Sequence, residues 1–549
     1  MRKHHDTTRW RYLVGTAVLL ACGSHSSTVD AQTQPPSATL QNQSQRVQQY
    51  YQQQVRVPVK PQEPLPQSKQ TATQHATHFA GGVHFILRKV DFTPSALLPK
   101  KALDDAVRPW LGKDIDANDL SALLARVNAL YAARDITTAR AVFASQSISD
   151  GVLHIELVEG RLGVLRIKGL RKTRESFVRR RIDIKPGQVV DSGVLRDDLV
   201  YLNATTDLQC KALLEPGAKR GQTDILLDVK EPSWHSVDLF MDNAGVDSTG
   251  RFRVGVDAKL YGLLGVDDRL VGNFAHSSGA NDGAVSYSIP VFLSNGRIEA
   301  GYSHSQINII NGAFRKLNIT GTSSVSSLAY RQPLIATLHW RLSGVVQYSL
   351  EDSVTNISGQ QIANTRTRQI SIGASLSHQS DGEMWSVSQL VTRLHSDEPM
   401  LGKNNFLVAP GSAYYIKRLG HSQWAVRADA GWQFSTGKNI PSANLFQIGG
   451  LGSVRGYEMG ILSGPRGYYA NLELHRNFFD RLDAYVFVDH GTIYSFYPTS
   501  KSITGAGPGV LYHFRKWLTL SADVAKSFST VIPNQGSIRA DARVTIHWQ

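Results

Sequence analysis

The chain has 549 residues, of which 41% are hydrophobic and 19% charged, and its formal net charge is +14. This length exceeds what one hydrophobic core usually covers, so we expect at least two structural units. The basic residues are scattered apart from local groups such as Arg179–Arg181, and no nucleic-acid-binding motif accompanies them. The charge therefore predicts no nucleic-acid partner.

The N-terminal 31 residues have the pattern of a secretory signal peptide. A basic region precedes the apolar stretch Tyr12–Cys22, and Val29–Ala31 forms a small-residue cleavage site before Gln32. A second interpretation makes Cys22 the lipidated residue of a lipoprotein signal. If cleavage follows Ala31, Cys210 is the one cysteine left, and no internal disulfide can form.

Residues 32–57 are rich in glutamine and carry apolar side chains at roughly helical intervals. This pattern predicts a short, weakly amphipathic helix. Closely spaced prolines follow at 58, 61, 64 and 66, and they predict an extended tether over 58–82. The helix is therefore expected to be a separate piece on a linker.

Two small α+β units follow, each with the order β-α-α-β-β. The first, over 83–160, is expected to contain these elements: a strand at Phe85–Phe92, a helix at Lys100–Trp110, a helix capped by Asp116 or Asn118, and strands at Ala139–Ala144 and Val152–Val158. The second, over 161–232, repeats that order: strand Gly163–Ile167, helices Arg174–Ile182 and Asp191–Asn203, and strands Leu208–Leu214 and Thr223–Val229. A tandem of this kind is typical of a binding module.

From residue 233 to 549 the pattern changes to alternating strands separated by short polar turns. The last strand is the clearest, with apolar residues from Ile538 to Trp548 on one face and charged or polar residues on the other. About eleven such segments precede the glycine-rich stretch near residue 450, and about five follow it. Rings near segment ends suit interfacial girdles: Trp340, Tyr348, Trp385, Trp424, Trp432, Trp517 and Trp548. We therefore predict a 16-stranded transmembrane β-barrel whose two ends lie on the same side.

Two motifs within the barrel carry opposite charges. The loop over 437–467 contains Val454, Arg455, Gly456 and Tyr457, and glycine leaves this loop free to adopt unusual backbone conformations. The later strand motif is Phe487, Asp489 and Gly491, which share one face because side chains alternate along a strand.

These motifs, the tandem α+β units and the barrel together resemble the two-partner secretion transporters of the hemolysin secretion/activation type. That family lies within the superfamily of the barrel-assembly insertase, and its small units are called polypeptide-transport-associated (POTRA) domains. Further matches in the first unit are Tyr131, Thr138–Arg140, Gln146, Asp150–Gly151 and Glu159–Gly160.

The resemblance implies that the loop folds into the lumen and that Arg455 pairs there with Asp489 of the inner wall. A guanidinium in a narrow lumen needs a carboxylate partner, and Glu473 is a second candidate because it shares the inward face of its strand with Asn471 and His475.

The resemblance also implies a mechanism. A secreted exoprotein, hemolysin-like or adhesin-like, adds a strand to a POTRA sheet edge, and the helix within 32–57 plugs the pore at rest. Outer-membrane lipid and the barrel-assembly machinery are the other expected partners. No nucleotide-binding motif is present, so we expect cargo folding outside the cell to supply the energy.

Three alternatives follow from the same residues. An insertase of the same superfamily usually has more tandem domains, and a passive porin leaves 83–232 without a purpose. An enzyme is disfavoured because no Gly-x-Ser-x-Gly or His-Glu-x-x-His motif occurs, so we expect no catalytic residue, cofactor or metal.

Overall fold

The computed structural model describes residues 63–64, 84–144, 146, 148, 150–219, 221–312, 314–398, 402–420, 422–437, 440–494, 500–532 and 535–548. The predicted signal peptide, the two readings of Cys22, the plug-like helix and nearly all of the proline-rich linker lie outside these residues.

The first unit is a three-stranded sheet covered by two helices. Its elements are β1 (Phe85–Ile86), β2 (Lys89–Phe92), α1 (Lys100–Val107), β3 (Asp114–Ile115), α2 (Ala117–Ala132), β4 (Ala139–Phe143) and β5 (Val152–Glu159). The sheet order is β2-β5-β4, and β1 pairs with β3. Leu120, Leu123 and Val127 of α2 are fully buried against this sheet, which is the apolar stripe that the sequence predicts for this helix.

Two details of the first unit differ from the sequence prediction, and a third decides which of the two predicted caps begins α2. The strand expected over 85–92 is two short strands, because Leu87 turns into the core while β2 moves to a different partner, β5. The first helix ends at Val107 and continues as a 3₁₀ turn, because Pro109 cannot donate the next helical hydrogen bond. Asp116 is the N-cap of α2, with its side chain accepting from the backbone N–H groups of Asn118 and Asp119.

The second unit repeats the architecture with the sheet order β6-β8-β7. Its elements are β6 (Arg161–Lys168), α3 (Glu175–Arg179), α4 (Ser192–Thr205), β7 (Gln209–Pro216) and β8 (Gln222–Lys230). The helix predicted over 174–182 is shorter, because Ile182 leaves the helix to enter the core. Cys210 is a buried free thiol in that core, and burial raises its pKa to about 12.

The two units contact each other directly. The Ser192 hydroxyl donates to the Asp135 carbonyl at 2.8 Å and accepts from the Thr137 backbone N–H at 3.0 Å. Arg196 pairs with the Asp135 carboxylate at 2.9 Å. The N-terminal turn of α4 therefore contacts the loop between α2 and β4 of the first unit.

The remaining strands close into a barrel of sixteen antiparallel strands, which confirms the predicted fold class. Eleven precede the long loop: β9 (His235–Asp242), β10 (Arg253–Tyr261), β11 (Arg269–Ser277), β12 (Ala280–Val291), β13 (Gly296–Asn308), β14 (Ile319–Ala336), β15 (Trp340–Ile357), β16 (Gln360–Ser380), β17 (Glu383–Glu398), β18 (Gly402–Arg418) and β19 (Trp424–Ser435). The loop contains β20 (Phe446–Ile448) and β21 (Leu462–Gly464). Five strands follow it: β22 (Arg466–Phe478), β23 (Leu482–Tyr494), β24 (Lys501–Arg515), β25 (Leu518–Ser527) and β26 (Ile538–Trp548).

The seam between β9 and β26 is reinforced beyond its backbone pairing, which runs from Asp242 opposite Arg543 to Val237 opposite Trp548. Past the end of β9, the Asn243 side chain accepts from the Ala542 backbone N–H at 2.7 Å and donates to the Ala540 carbonyl at 3.0 Å. On the inner face, Asp242 binds Arg253 at 2.8 Å and Arg543 at 3.4 Å. The first and last strands are therefore joined by side-chain contacts as well as by backbone pairing.

Apolar side chains of the barrel point outward, and polar ones point inward. In β23, Val486 and Val488 are more than half exposed, whereas Phe487 and Asp489 are buried. Several rings of the predicted girdle stand at strand ends nearest the two α+β units, as Trp340, Trp385 and Trp424 do, but Tyr348 lies in the middle of β15. Among the described residues, none of the helices combines the length and apolar character needed to span a bilayer.

Candidate functional site

The loop between β19 and β22 forms a hairpin that lies against the inner wall. Its short strands β20 and β21 pair with each other, and Phe446, Ile448, Val454 and Tyr457 pack with Ile493 of β23. Because β9 starts beside the second α+β unit and the strands alternate in direction, this loop leaves the barrel at the far end and folds back inside. The predicted inward loop is thus a compact, packed element.

Backbone contacts shape the loop tip. The Gly450 N–H donates to the Val454 carbonyl at 2.9 Å, and the Gly449 N–H donates to the Ser453 hydroxyl at 2.8 Å. Gly456 has a φ of +90°, and a Cβ there would lie 3.2 Å from the backbone of Lys526 and Ser527. Glycine at 456 therefore serves both the left-handed conformation and the close approach to β25.

Arg455 is held by Asp489 through three hydrogen bonds. Its side chain is 1% exposed and that of Asp489 is fully buried. Arg455 Nε donates to Asp489 Oδ2 at 2.7 Å, and Nη2 donates to Oδ1 at 2.8 Å, which makes a two-pronged contact. The Arg455 backbone N–H also donates to Oδ2 at 3.0 Å. This carboxylate thus fixes both the side chain and the backbone of the loop tip.

Two further carboxylates and one ring surround the same guanidinium. Arg455 Nη1 lies 2.7 Å from Glu473 Oε1 of β22 and 3.6 Å from Asp523 Oδ1 of β25. The Phe487 ring of β23 stacks against the guanidinium, with its centroid 3.5 Å from Cζ. Side chains of β22, β23 and β25 therefore contact Arg455, and we call the wall formed by β22 to β25 the loop-binding wall.

The surplus negative charge around Arg455 has further partners. Glu473 Oε2 contacts His475 Nε2 at 2.8 Å, and His475 Nδ1 contacts Asp483 at 2.9 Å. Arg427 of β19 lies 3.8 Å from Glu473 and 2.9 Å from Asp429. Asp523 accepts a hydrogen bond from the Tyr485 hydroxyl at 2.5 Å. These contacts satisfy carboxylates that one cation alone could not neutralise.

Glycines of the wall make room for the loop. A Cβ at Gly491 would lie 3.0 Å from Val454 and 3.1 Å from Ile448. At Gly505 of β24, a Cβ would lie 2.0 Å from the Arg455 carbonyl oxygen, which no side chain can occupy. The final glycine of the Phe487, Asp489, Gly491 motif thus leaves the space that the Val454 side chain occupies.

Tyr457 connects the loop tip to the far ends of β24 and β25. Its hydroxyl donates to the Thr504 carbonyl at 2.9 Å and accepts from the Ser529 backbone N–H at 3.1 Å. The ring is 1% exposed. Tyr457 therefore fixes the turn after Gly456.

The structure brings together every residue that the sequence predicts for this site. Arg455 lies between Asp489 and the second candidate, Glu473, and the flanking residues Val454, Gly456, Tyr457, Phe487 and Gly491 all contribute to seating the loop. Sequence reasoning missed Asp523. The sequence does mark Asp523, because it precedes the outward-facing Val524 and is therefore an acidic residue on the inward face of its strand. Among the residues that the structure describes, no group of three or more His, Cys, Asp or Glu side chains has an arrangement that could hold a metal ion.

The first POTRA-like unit uses two of its motif residues to hold its own loop. The Glu159 carboxylate accepts from the Tyr131 hydroxyl at 3.0 Å and from the Ala96 backbone N–H at 2.8 Å. Burial, followed by the contact with Glu159, raises the pKa of Tyr131. Gln146 pairs with the backbone of His154 in both directions, at 2.7 and 2.8 Å, and so extends the sheet beyond β4. These matches act in folding the domain.

Comparison with family models gives two matches. Residues 221–512, more than half of the chain, match the model described as haemolysin secretion/activation protein ShlB/FhaC/HecB. Residues 85–160 match the model described as POTRA domain, ShlB-type.

Individual proteins show the same similarity at lower identity. The heme/hemopexin transporter protein HuxB of Haemophilus influenzae (strain 86-028NP) is 25% identical over 67% of this chain and 67% of its own length. The outer membrane transporter CdiB of Dickeya dadantii (strain 3937) is 24% identical over 72% and 73%. The solved structure of CdiB from Escherichia coli has a TM-score of 0.68 at 18% identity, covering 94% of this chain and all of that one; this likeness concerns the fold.

Proposed function

The chain belongs to the haemolysin secretion/activation family of ShlB, FhaC and HecB, and on that premise we propose how it transports its partner. The family and its relatives make it a two-partner secretion transporter of the outer membrane, with the POTRA domains in the periplasm. A secreted exoprotein partner follows from that role. Our proposal concerns the kind of cargo, its capture and the loop that controls its passage.

The observation that carries the proposal is the buried Arg455 guanidinium, which is joined to three strands of the loop-binding wall. Removing one member of such a buried pair costs about 3–5 kcal/mol, because the other charge stays buried without its partner. In our proposal, the Arg455 contacts hold the loop in one defined position in the lumen, and a cargo of the hemolysin or adhesin type moves past or displaces it.

Capture of the cargo is proposed to use the outer sheet edge of the second POTRA domain. The order β6-β8-β7 leaves β7 at the edge, and the Ala212 backbone N–H there already donates to the Pro64 carbonyl at 2.8 Å. An edge whose outward N–H already binds a carbonyl of another segment has the geometry for strand addition, in which main-chain bonds give affinity. In this proposal, the linker and an extended cargo segment compete for β7.

The capture step is tested with Ala212→Pro, which removes the outward N–H while proline is tolerated at a sheet edge. Cargo binding to the detergent-solubilised protein should fall severalfold, measured by biolayer interferometry with the N-terminal region of the exoprotein encoded beside this chain. Ala212→Ser keeps the N–H and serves as the matched control. Equal cargo binding by both variants would indicate that the cargo binds a different sheet edge.

The transport function is tested by co-expression of this chain and that exoprotein in a Gram-negative host. We expect the exoprotein in the medium only when the transporter is present, and deletion of residues 32–56 should raise ion conductance if that segment plugs the pore. Small-solute uptake without cargo export would favour a porin. Loss of other outer-membrane proteins on depletion of the chain would favour an insertase.

A further inference from the structure

A strongly basic segment of the second POTRA domain lies directly beneath the barrel rim. Residues 171–181 contain six basic side chains and one acidic side chain, and the segment includes helix α3. The transport proposal above makes no use of it. Its surroundings indicate a ligand other than the cargo.

Two contacts fix this basic segment against the periplasmic turns of the barrel. The Arg174 backbone N–H donates to the Gly265 carbonyl in the turn after β10 at 2.9 Å. Arg181 Nη2 donates to the Phe292 carbonyl in the turn after β12 at 3.1 Å. The turn after β10 is further held by buried Asp267, which accepts from the Asp207 backbone N–H at 2.9 Å. The segment therefore sits within one turn of the membrane-spanning strands.

Several cations of the basic segment are left over after internal pairing. Arg179 pairs with Glu175, and Arg181 is occupied with the turn. The nearby Glu231 carboxylate accepts from backbone N–H groups of residues 171–173. Four basic side chains are exposed and form no ion pair within the described part of the chain: Arg171, Lys172, Arg174 and Arg180.

Exposed apolar side chains stand beside these cations. Phe292 and Leu293 are 74% and 61% exposed in the turn after β12, and Leu263 and Leu264 are each 50% exposed in the turn after β10. Both turns directly follow membrane-spanning strands, β10 and β12. Soluble surfaces rarely expose such residues together without a partner.

The girdle of aromatic rings links the basic segment to the membrane surface. Lys172 Nζ lies 5.3 Å from the centroid of the Trp234 ring. Trp234 contacts His235, whose ring lies 5.3 Å from that of Trp548, an outward residue of the last strand. Tryptophan concentrates at the level of lipid headgroups, so this contact places Lys172 at that level.

We propose that the basic segment and the two apolar turns form a binding surface for anionic phospholipid in the periplasmic leaflet of the outer membrane. The four unpaired cations contact the headgroup phosphates, and the exposed turn residues enter the boundary between headgroups and acyl chains. Clustered basic residues beside a membrane attract anionic lipid with roughly fivefold gain in affinity per residue. Bound lipid would hold the second POTRA domain at a fixed angle below the pore.

The experiment uses the full chain in nanodiscs made of phosphatidylcholine, with or without about one-fifth phosphatidylglycerol. Amide exchange over residues 170–182 should slow at least severalfold when phosphatidylglycerol is present, and native mass spectrometry of the detergent-released protein should show retained phosphatidylglycerol. Both effects should weaken at high salt because mobile ions screen the headgroup charges. The fourfold variant R171Q/K172Q/R174Q/R180Q should lose both effects.

The control variant K100Q/K101Q/R126Q/R140Q removes four exposed cations from the first POTRA domain and should retain both effects. A heat-modifiability gel checks that each barrel is folded, and Leu264→Ser tests the apolar half without changing charge. Equal protection in phosphatidylcholine alone, or equal lipid retention by the two fourfold variants, would overturn the proposal. Loss of cargo binding with unchanged lipid binding would assign the segment to the cargo instead.

Discussion

Two opposite walls of the lumen hold polar residues of different kinds. The loop-binding wall, β22 to β25, presents charged groups that converge on Arg455. The wall formed by β13 to β17 presents mainly short hydroxyl side chains, which we call the hydroxyl wall: Ser303, Ser305, Ser323, Ser349, Thr355, Thr367, Ser371, Thr392 and Ser396. On that wall Glu351 takes a neutral partner, Gln369, at 3.1 Å.

This difference shows how one barrel can both fix a loop and accept varied polypeptide. A guanidinium fork on a carboxylate tolerates little change in distance or angle, so the loop-binding wall specifies one partner. Hydroxyl groups donate or accept and rotate to suit their neighbour, so the hydroxyl wall specifies none. We expect substitutions on the two walls to differ accordingly.

The largest effect should come from Arg455→Ala. It leaves Asp489, Glu473 and Asp523 buried together without their shared cation, which costs about 3–5 kcal/mol in the local folding of the loop. Secretion should fall tenfold or more while a folded barrel reaches the outer membrane, as measured by cargo in the medium and by heat-modifiability. Arg455→Lys should rescue only partly, because an ammonium cannot form the fork. Normal secretion by Arg455→Ala would remove the loop from the mechanism.

Gly505→Ala changes no charge, and we expect it to raise the rate of thiol labelling at the loop tip severalfold. The new Cβ would fall 2.0 Å from the Arg455 carbonyl oxygen, so the loop tip must move. Thiol labelling at Ser453→Cys should become faster when Gly505→Ala is added, with little background because Cys210 is buried.

The matched control for that strand glycine is Gly272→Ala in β11, where the nearest atom to a Cβ is 3.8 Å away. It should leave labelling at position 453 unchanged. If both glycine variants behaved alike, the loop would not depend on contact with β24.

A smaller effect is expected for Asp523→Asn. The amide oxygen can still accept from Tyr485, so the variant loses only the charge 3.6 Å from Arg455. We expect the free energy of unfolding to fall by roughly 1–2 kcal/mol, since Asp489 and Glu473 remain. Urea titration followed by gel mobility measures this change. A loss as large as that of Arg455→Ala would mean that Asp523, and not Asp489, is the principal partner.

The smallest effect should be that of Ser323→Ala on the hydroxyl wall. Ser323 Oγ is buried with no hydrogen-bond partner among the described residues, so its removal should change stability by about 0.5 kcal/mol or less. Ser371→Ala, which loses the 2.9 Å contact with Thr392, is the comparison and should cost about 1 kcal/mol. Secretion should stay normal in both. A strong secretion defect in Ser323→Ala would show that this wall is specific after all.

Much of the barrel can be predicted from the sequence because strand alternation has a period of two. The last strand is predicted with its observed bounds, since charged and apolar residues alternate without interruption from Ile538 to Trp548. Short elements are harder. The loop strand Phe446–Ile448 has three residues, all buried, and three residues cannot display a period.

The candidate site is predicted where local motifs mark it and is incomplete where they do not. Arg455 and Asp489 stand in recognisable surroundings of glycine and aromatic residues. Asp523 does not, because its neighbours Ala522 and Val524 are ordinary strand residues, and its contact with Arg455 depends on two intervening strand pairings. The exact seat of the loop also depends on Gly505, whose role is visible only when the Arg455 carbonyl is placed beside it.

The Asn243 amide at the seam has a consequence for how the cylinder is completed. A side chain that copies the hydrogen bonding of a backbone unit can join β9 to β26 only after both have reached their final register, 297 and 299 residues apart in the chain. A polypeptide interrupted before Ile538 would therefore leave β9 and β25 as two open edges, a form prone to pairing with other chains and to proteolysis. Closure of the barrel by β26 thus removes both open edges at once, and Asn243 adds side-chain hydrogen bonds to that closure.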